Sequence, residues 1–197
     1  PHEARSHSTG ATTIRHKFLL DPLPQAVKLH LMSDKISFHL NGEPTQTLCR
    51  ADMTVLEWLR IEKNLRGTKE GCAEGDCGAC SILIHRPGSS NQFLPSNACI
   101  MLMGQVEGSA IYTVEGLAGS AEGGHPVQSE MAKNGSSQCG FCTPGIVVAL
   151  AGLMNRVDQP NESEIHDALA GNLCRCTGYD KIIRAVMDTA ADLRKAS

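Results

Sequence analysis

Glu70-Gly71-Cys72-Ala73-Glu74-Gly75-Asp76-Cys77-Gly78-Ala79-Cys80 carries three cysteines with gaps of four and then two residues, and Cys99 follows after 18 more. That spacing lets one loop bring three thiolates around a diiron core, with a distant fourth closing the site. Gly71, Gly75 and Gly78 suit such a loop, because side chains would crowd it and bare backbone N–H groups can point at sulfur. Ordinary turn chemistry calls for the same residues.

A second set lies downstream, where Cys139 and Cys142 are two residues apart and, after 31 more, Cys174 and Cys176 flank a single residue. Two pairs from separate segments can build a four-thiolate site between helix ends. By spacing alone a zinc ion on four cysteines competes with an iron-sulfur cluster, and a zinc-stabilised, non-redox interaction module is the function that goes with it. Cys139-Gly140-Phe141-Cys142 also imitates a thioredoxin-type redox pair, but the sequence offers no βαβ context and the second pair would stay unexplained. No Cys-x-His pairing supports a Rieske centre.

Of the nine cysteines in 197 residues, eight belong to these clusters, which fits poorly with a secreted disulfide scaffold. Metal ligation in a reducing, cytoplasmic compartment is the expectation. The formal charge is −3; eight thiolates on two diiron cores of about +2 each would take it to roughly −7. With four Phe, two Tyr and one Trp there is no base-stacking surface, and no basic excess draws nucleic acid. The longest unbroken apolar run, Gly145 to Met154, has ten residues, against the ~20 of a membrane-spanning helix. No membrane span is expected.

Residues 1–31 hold four of the eight His, and Pro22 and Pro24 interrupt their apolar stretch. They read as a flexible extension without a secretory signal, and Met32 as a plausible start. Ile36, Phe38 and Leu40 alternate with polar residues before Asn41-Gly42, the signature of a hairpin. Thr54 and Glu57 have capping-box spacing ahead of a helix that should run to about Ile61. Ser81 to His85 and Ala110 to Val114 read as strands. The glycine-rich stretch 116–124 marks a linker. Beyond it the pattern is helical: Thr143 as N-cap with Pro144 in the first turn, then a helix buried nearly all round to Met154. Asn161 and Glu164 cap another, ended by Gly171. In the last, Ile182, Ile183, Val186, Met187, Ala190 and Leu193 form an apolar stripe.

The 70–80 stretch, Gln138-Cys139-Gly140-Phe141-Cys142-Thr143-Pro144-Gly145, and Gly171-Asn172-Leu173-Cys174-Arg175-Cys176-Thr177-Gly178-Tyr179 together closely resemble the iron-sulfur portion of the molybdenum hydroxylases, the xanthine dehydrogenase and xanthine oxidase family. The wording around Cys77 is most similar to bacterial xanthine dehydrogenases. The resemblance covers about Lys35 to Leu193. It implies an α+β architecture: a β-grasp, plant-type 2Fe-2S ferredoxin-like domain over 35–115, then an all-α four-helix-bundle 2Fe-2S-binding domain over 125–197. It further implies that Cys72, Cys77, Cys80 and Cys99 hold one 2Fe-2S cluster, that Cys139, Cys142, Cys174 and Cys176 hold the other, and that Gln138 touches a molybdopterin cofactor. The implied role is an electron-transfer subunit: electrons from purine hydroxylation at molybdenum would pass through the helical-domain cluster and the ferredoxin-domain cluster to FAD and then NAD. An aldehyde or N-heterocycle substrate would keep the same wiring.

Only 21 residues follow Cys176, and neither Gly-x-Gly-x-x-Gly nor a P-loop occurs. The expectation is that molybdopterin and FAD sit on partner chains, a large and a medium subunit, or on domains missing from a fragment. Cys49 reads as a buried apolar thiol. Glu74 and Asp76 read as a solvated loop face, Arg175 as a residue tuning potential or touching a partner, and the scattered His as non-ligands. Catalytic residues are not expected here.

Overall fold

The computed structural model describes residues 33–89, 92–117 and 124–196, all within one compact unit. The extension 1–31 and most of the linker at 116–124 lie outside the described residues.

Strand β1 (Ser33–Leu40) turns back into β2 (Glu43–Arg50) through Asn41 and Gly42, whose φ angles of 54° and 89° are those of a primed turn. Asn41 tolerates the left-handed region, and here its Oδ1 also accepts the Thr113 N–H at 2.8 Å. Thr54 Oγ1 then accepts the Glu57 N–H at 3.1 Å and starts α1 (Val55–Glu57). The helix does not continue in α form. Over Trp58–Glu62 it widens into a π turn, closed by the Lys63 N–H on the Trp58 carbonyl. Trp58 is fully buried, stacks edge-on against Phe38 at 5.3 Å and donates its indole N–H to Thr47.

Strands β3 (Ser81–His85), β4 (Leu94–Asn97) and β5 (Ala110–Tyr112) complete a five-stranded sheet in the order β2-β1-β5-β3-β4. Only β1 and β5 pair in parallel. β5 stops short of Val114, because the chain tightens into a 3₁₀ turn over Val114–Gly116. The sequence does not predict β4, since Pro95 argues against a strand; it is accommodated on the sheet edge.

Four helices follow. α2 (Pro126–Lys133) is capped by His125, whose Nδ1 accepts the Val127 N–H at 3.3 Å. α3 (Thr143–Met154) is buried from Gly145 to Leu153, as its all-round apolar sequence requires. Its cap is Cys142, one residue before the expected Thr143, whose hydroxyl is turned to Ser137 at 2.8 Å instead of to a helix N–H. α4 (Glu162–Leu169) opens on the reciprocal Asn161–Glu164 box, with bonds of 2.8 and 3.0 Å, and gives way to Gly171. α5 (Asp180–Ala196) buries Ile182, Ile183, Val186 and Ala190, while Met187 and Leu193 on the same stripe stay exposed.

Two apolar clusters result. One fills the space between the sheet and α1; the other joins α2 to α5 and takes in Val114 and Leu117 from the sheet side. Helix α3 reaches across, with Gly152 against Leu83 of β3 and Gly145 against the loop at Gly78. Among the described residues, no helix is long and apolar enough to cross a membrane.

Candidate metal centres

The loop from Gly71 to Gly78 has no regular structure, and its course is set by three left-handed residues: Ala73 (φ 58°), Gly75 (83°) and Gly78 (69°). This winding wraps backbone around sulfur. The N–H groups of Glu74 and Asp76 point at Cys72 Sγ at 3.5 and 3.3 Å. With the Cys77 N–H they stabilise the thiolate and pull the Cys72 thiol down to about 6. The donors are thus mainly residues between the glycines, whose role is conformational. Gly75 is the exception, since its N–H reaches Cys99.

Cys99, in the turn after β4, is buried against Cys80. Burial, reinforced by the Cys80 thiol, pushes it up to about 12. Cys72 interacts with Cys77, Cys80 with Cys99, and Cys72 and Cys99 feel each other's charge. The Cys77 sulfur is closely approached by backbone: a Cβ on Gly71 would lie 2.7 Å from Cys77 Sγ.

The second set is assembled between helix ends. Cys139 and Cys142 precede α3; Cys174 and Cys176 lie on the loop from α4 to α5. Burial beside Cys174 pushes Cys142 up to about 12. Burial also opposes ionisation of Cys174, but the Thr177 hydroxyl at 3.1 Å and the N–H groups of Thr177 and Cys176 outweigh it and bring that thiol to about 7. The neighbouring Cys139 thiol raises Cys176. Both Cys139 and Cys176 are exposed.

Tyr179 shapes this loop. Its backbone sits at φ 68°, an unfavourable region for a bulky side chain, and its hydroxyl explains why. The oxygen accepts the Cys174 N–H at 2.6 Å and donates to the Asn172 carbonyl at 2.8 Å.

The eight thiols named from the sequence meet two by two, Cys72 with Cys77, Cys80 with Cys99, Cys142 with Cys174 and Cys139 with Cys176. Among the described residues, no group of three or more His, Cys, Asp or Glu converges on a single ion. An all-thiolate set in pairs is compatible with a core of two irons, each taking two sulfurs. Gln138, the residue before Cys139, is exposed, and so are Glu74, Asp76 and Arg175 on their own loops. Cys49 is in the sheet-side core at 8% exposure.

The two loops also touch. The Leu173 N–H donates to the Cys77 carbonyl at 3.0 Å, and Asn172 Nδ2 donates to the Gly78 carbonyl at 3.0 Å. Asn172 and Tyr179 belong to the stretch 171–179 that carries the resemblance, but spacing assigns neither of them a contact. The one signal for Asn172 was a polar residue set between an apolar helix end and a ligand pair.

Two family descriptions match the chain: a 2Fe-2S iron-sulfur cluster binding domain over residues 38–103, and a [2Fe-2S] binding domain over 113–187. Aldehyde oxidase 1 of Rattus norvegicus is 41% identical over 155 residues, which are 77% of this chain and 12% of that protein. Xanthine dehydrogenase of Blastobotrys adeninivorans is 41% identical over 169 residues, 83% of this chain and 12% of that protein. The chain thus spans only about an eighth of these curated relatives. Among solved structures, a chain of quinoline 2-oxidoreductase from Pseudomonas putida 86 superposes with a TM-score of 0.72 at 37% identity; the match covers 83% of this chain and 98% of that one.

Proposed function

The chain belongs to the molybdenum hydroxylase family as its iron-sulfur part, and we propose that it carries electrons from a molybdopterin centre to FAD and NAD held on partner chains. The observation that carries the proposal is the meeting of eight thiols in four pairs, on loops joined by the Leu173 N–H on the Cys77 carbonyl and by the Asn172 side chain. Each 2Fe-2S cluster, when bound, supplies a one-electron redox site.

In this reading Cys72 and Cys77 hold one iron of the first cluster, and Cys80 and Cys99 the other. Cys142 pairs with Cys174 and Cys139 with Cys176 in the second. The backbone N–H groups at Cys72 and Cys174 spread the negative charge that thiolate ligation brings. Residues 35–115 would form the β-grasp ferredoxin-like domain and 125–197 the four-helix bundle, with 116–124 linking them and 1–31 preceding them. Gln138, exposed beside Cys139, would touch the molybdopterin.

Xanthine is the substrate favoured for the assembled enzyme, by the bacterial wording of the first motif and by xanthine dehydrogenase among the relatives. An N-heterocycle is the second reading, and one observation favours it: the matched chain of quinoline 2-oxidoreductase is covered over 98% of its length. The same observation supports a separate small subunit that joins a molybdopterin-binding large subunit and an FAD-binding medium subunit. Free thiols in this number suit a reducing, cytoplasmic setting.

The test uses the assembled enzyme. Cys77→Ser swaps a soft thiolate for a poorer ligand in the first quartet and leaves the second untouched. Substrate should then still reduce molybdenum and the helical-domain cluster while NAD reduction collapses. Cys142→Ser should leave both the first cluster and the flavin oxidised. Rapid-freeze EPR decides: fast flavin reduction in a Cys77→Ser enzyme lacking that cluster would refute the serial order. Colourless wild-type protein containing zinc and no acid-labile sulfide would refute the redox function altogether.

A further inference from the structure

Asn172 is 5% exposed, and its amide is spent on the opposite loop. Nδ2 donates to the Gly78 carbonyl at 3.0 Å and lies 3.4 Å from Ser81 Oγ. Gly78 stands between Cys77 and Cys80; Asn172 stands two residues before Cys174. One side chain therefore bridges the loops of both quartets. Its own backbone is fixed on either side, by its N–H on the Leu169 carbonyl at 2.8 Å and by its carbonyl under the Tyr179 hydroxyl.

The contact is tight as well as bonded. A Cβ on Gly78 would lie 2.5 Å from Asn172 Nδ2 and closer still to the Gly171 carbonyl. On the far side, Gly145 of α3 backs onto the same Gly78 carbonyl. With glycine at both positions, the loops approach to backbone contact; the Gly78 carbonyl accepts the Ser81 N–H at 3.1 Å and the Ser81 hydroxyl at 2.8 Å from its own loop, and Asn172 is the donor that reaches it from the opposite loop. Without Asn172 that carbonyl keeps only the Ser81 donors of its own loop, the side-chain bond that crosses to the other loop is lost, and the hold on the Gly78 loop weakens.

Resting on the two-cluster function proposed above, we infer that Asn172 is a positioning residue that sets the spacing between the two quartets. Its effect on the reaction is indirect, because electron tunnelling falls exponentially with separation and dipolar coupling falls with its cube. A small outward shift of the Gly78 loop changes both while each quartet keeps its ligands.

The experiment uses the full chain, anaerobically reconstituted, as wild type, Asn172→Leu and Asn172→Asp. The aspartate keeps the size and removes the donor; the leucine also removes the polarity. Iron and sulfide content and the single-cluster EPR signals report whether each quartet is intact. Pulsed EPR of the fully reduced chain reads the coupling between clusters, and rapid-freeze EPR reads how fast an added electron distributes between them. The expected result is full iron, unchanged single-cluster signals, weakened coupling and intercluster transfer slower by about tenfold or more. Unchanged coupling and rate in either variant with both clusters present would overturn the inference. So would loss of a cluster in both variants with the helices intact, since Asn172 would then be holding ligands in place. Wild-type chain that fails to take up two clusters refutes the proposed function itself, whatever the variants do.

Discussion

Gly145 offers a sharp test, because two physical rules give opposite signs there. It lies inside α3, where replacing glycine by alanine usually stabilises a helix by about 0.8–1 kcal/mol. In this fold the added Cβ would collide with the Gly78 carbonyl oxygen, with Gly78 C at 3.1 Å and Ala79 Cα at 3.2 Å just behind. All three are backbone atoms of the loop between Cys77 and Cys80, so no side chain can swing away. Overpacking of this kind costs about 1–3 kcal/mol, and an unyielding neighbour puts it at the upper end. Subtracting the helix gain leaves a net loss of about 2 kcal/mol, or a fall in thermal midpoint of roughly 4–8 °C for a chain of this size.

Gly152 in the same helix is the control. A Cβ there would meet Leu83 Cδ2 at 2.8 Å and Pro95 Cδ at 3.5 Å. The first is the end of a flexible side chain, and its rotation costs about 0.5–1.5 kcal/mol, which the helix gain largely offsets. Thermal melts of reconstituted Gly145→Ala and Gly152→Ala chains, with iron content measured in parallel, should show a drop for the first and a midpoint within about 2 °C of wild type for the second. A Gly145→Ala chain as stable as wild type would refute the close backbone approach.

Tyr179→Phe removes both the acceptor of the Cys174 N–H and the donor to the Asn172 carbonyl; a loss of about 1–2 kcal/mol is expected in denaturant titrations. Burial holds the His125 imidazole below its usual range. The unfolded chain therefore takes up the proton first as pH falls, so its contribution is full above the unfolded pKa of about 6.5 and is lost as pH falls through the folded value. His125→Asn keeps a cap without the titration, and plotting midpoint against pH should show a shallower acid slope. Stripping iron anaerobically should lower the midpoint by more than about 5 °C, because the clusters bind only the folded arrangement; an unchanged melt would mean that the quartets form without stabilising the fold.

Local signals with a fixed mechanism are legible in the residues themselves. Asn41-Gly42 specifies its turn through positive φ, and Asn161 with Glu164 specifies a helix start through two reciprocal bonds. Both involve residues close in sequence. Legibility fails where a partner comes from far away or where an unusual residue does a common job. His125 caps α2 although histidine is not a customary cap, so nothing in the sequence flags it. β4 exists because its edge position and its pairing with β3 tolerate Pro95. For the candidate sites, spacing names the eight thiols but cannot say which meet. Cys80 meets Cys99, which lies 19 positions further along the chain, and Gly78, left-handed at φ 69°, turns the loop between Cys77 and Cys80.

The placement of α3 determines how these loops can move. The helix contributes Ile146, Val147, Leu150 and Leu153 to the helical cluster, and its two glycines lie against β3 and the Gly78 loop. Val114 and Leu117, from the chain leaving the sheet, are packed into that same cluster. Separating the halves would strip apolar surface from both ends at once, at about 25 cal/mol for each Å² exposed, in addition to breaking the Asn172 and Leu173 bonds. These contacts tie the loops at Gly78 and Asn172 to each other within one compact unit. A docking subunit would meet loops already ordered, and little of its binding energy would be spent arranging them.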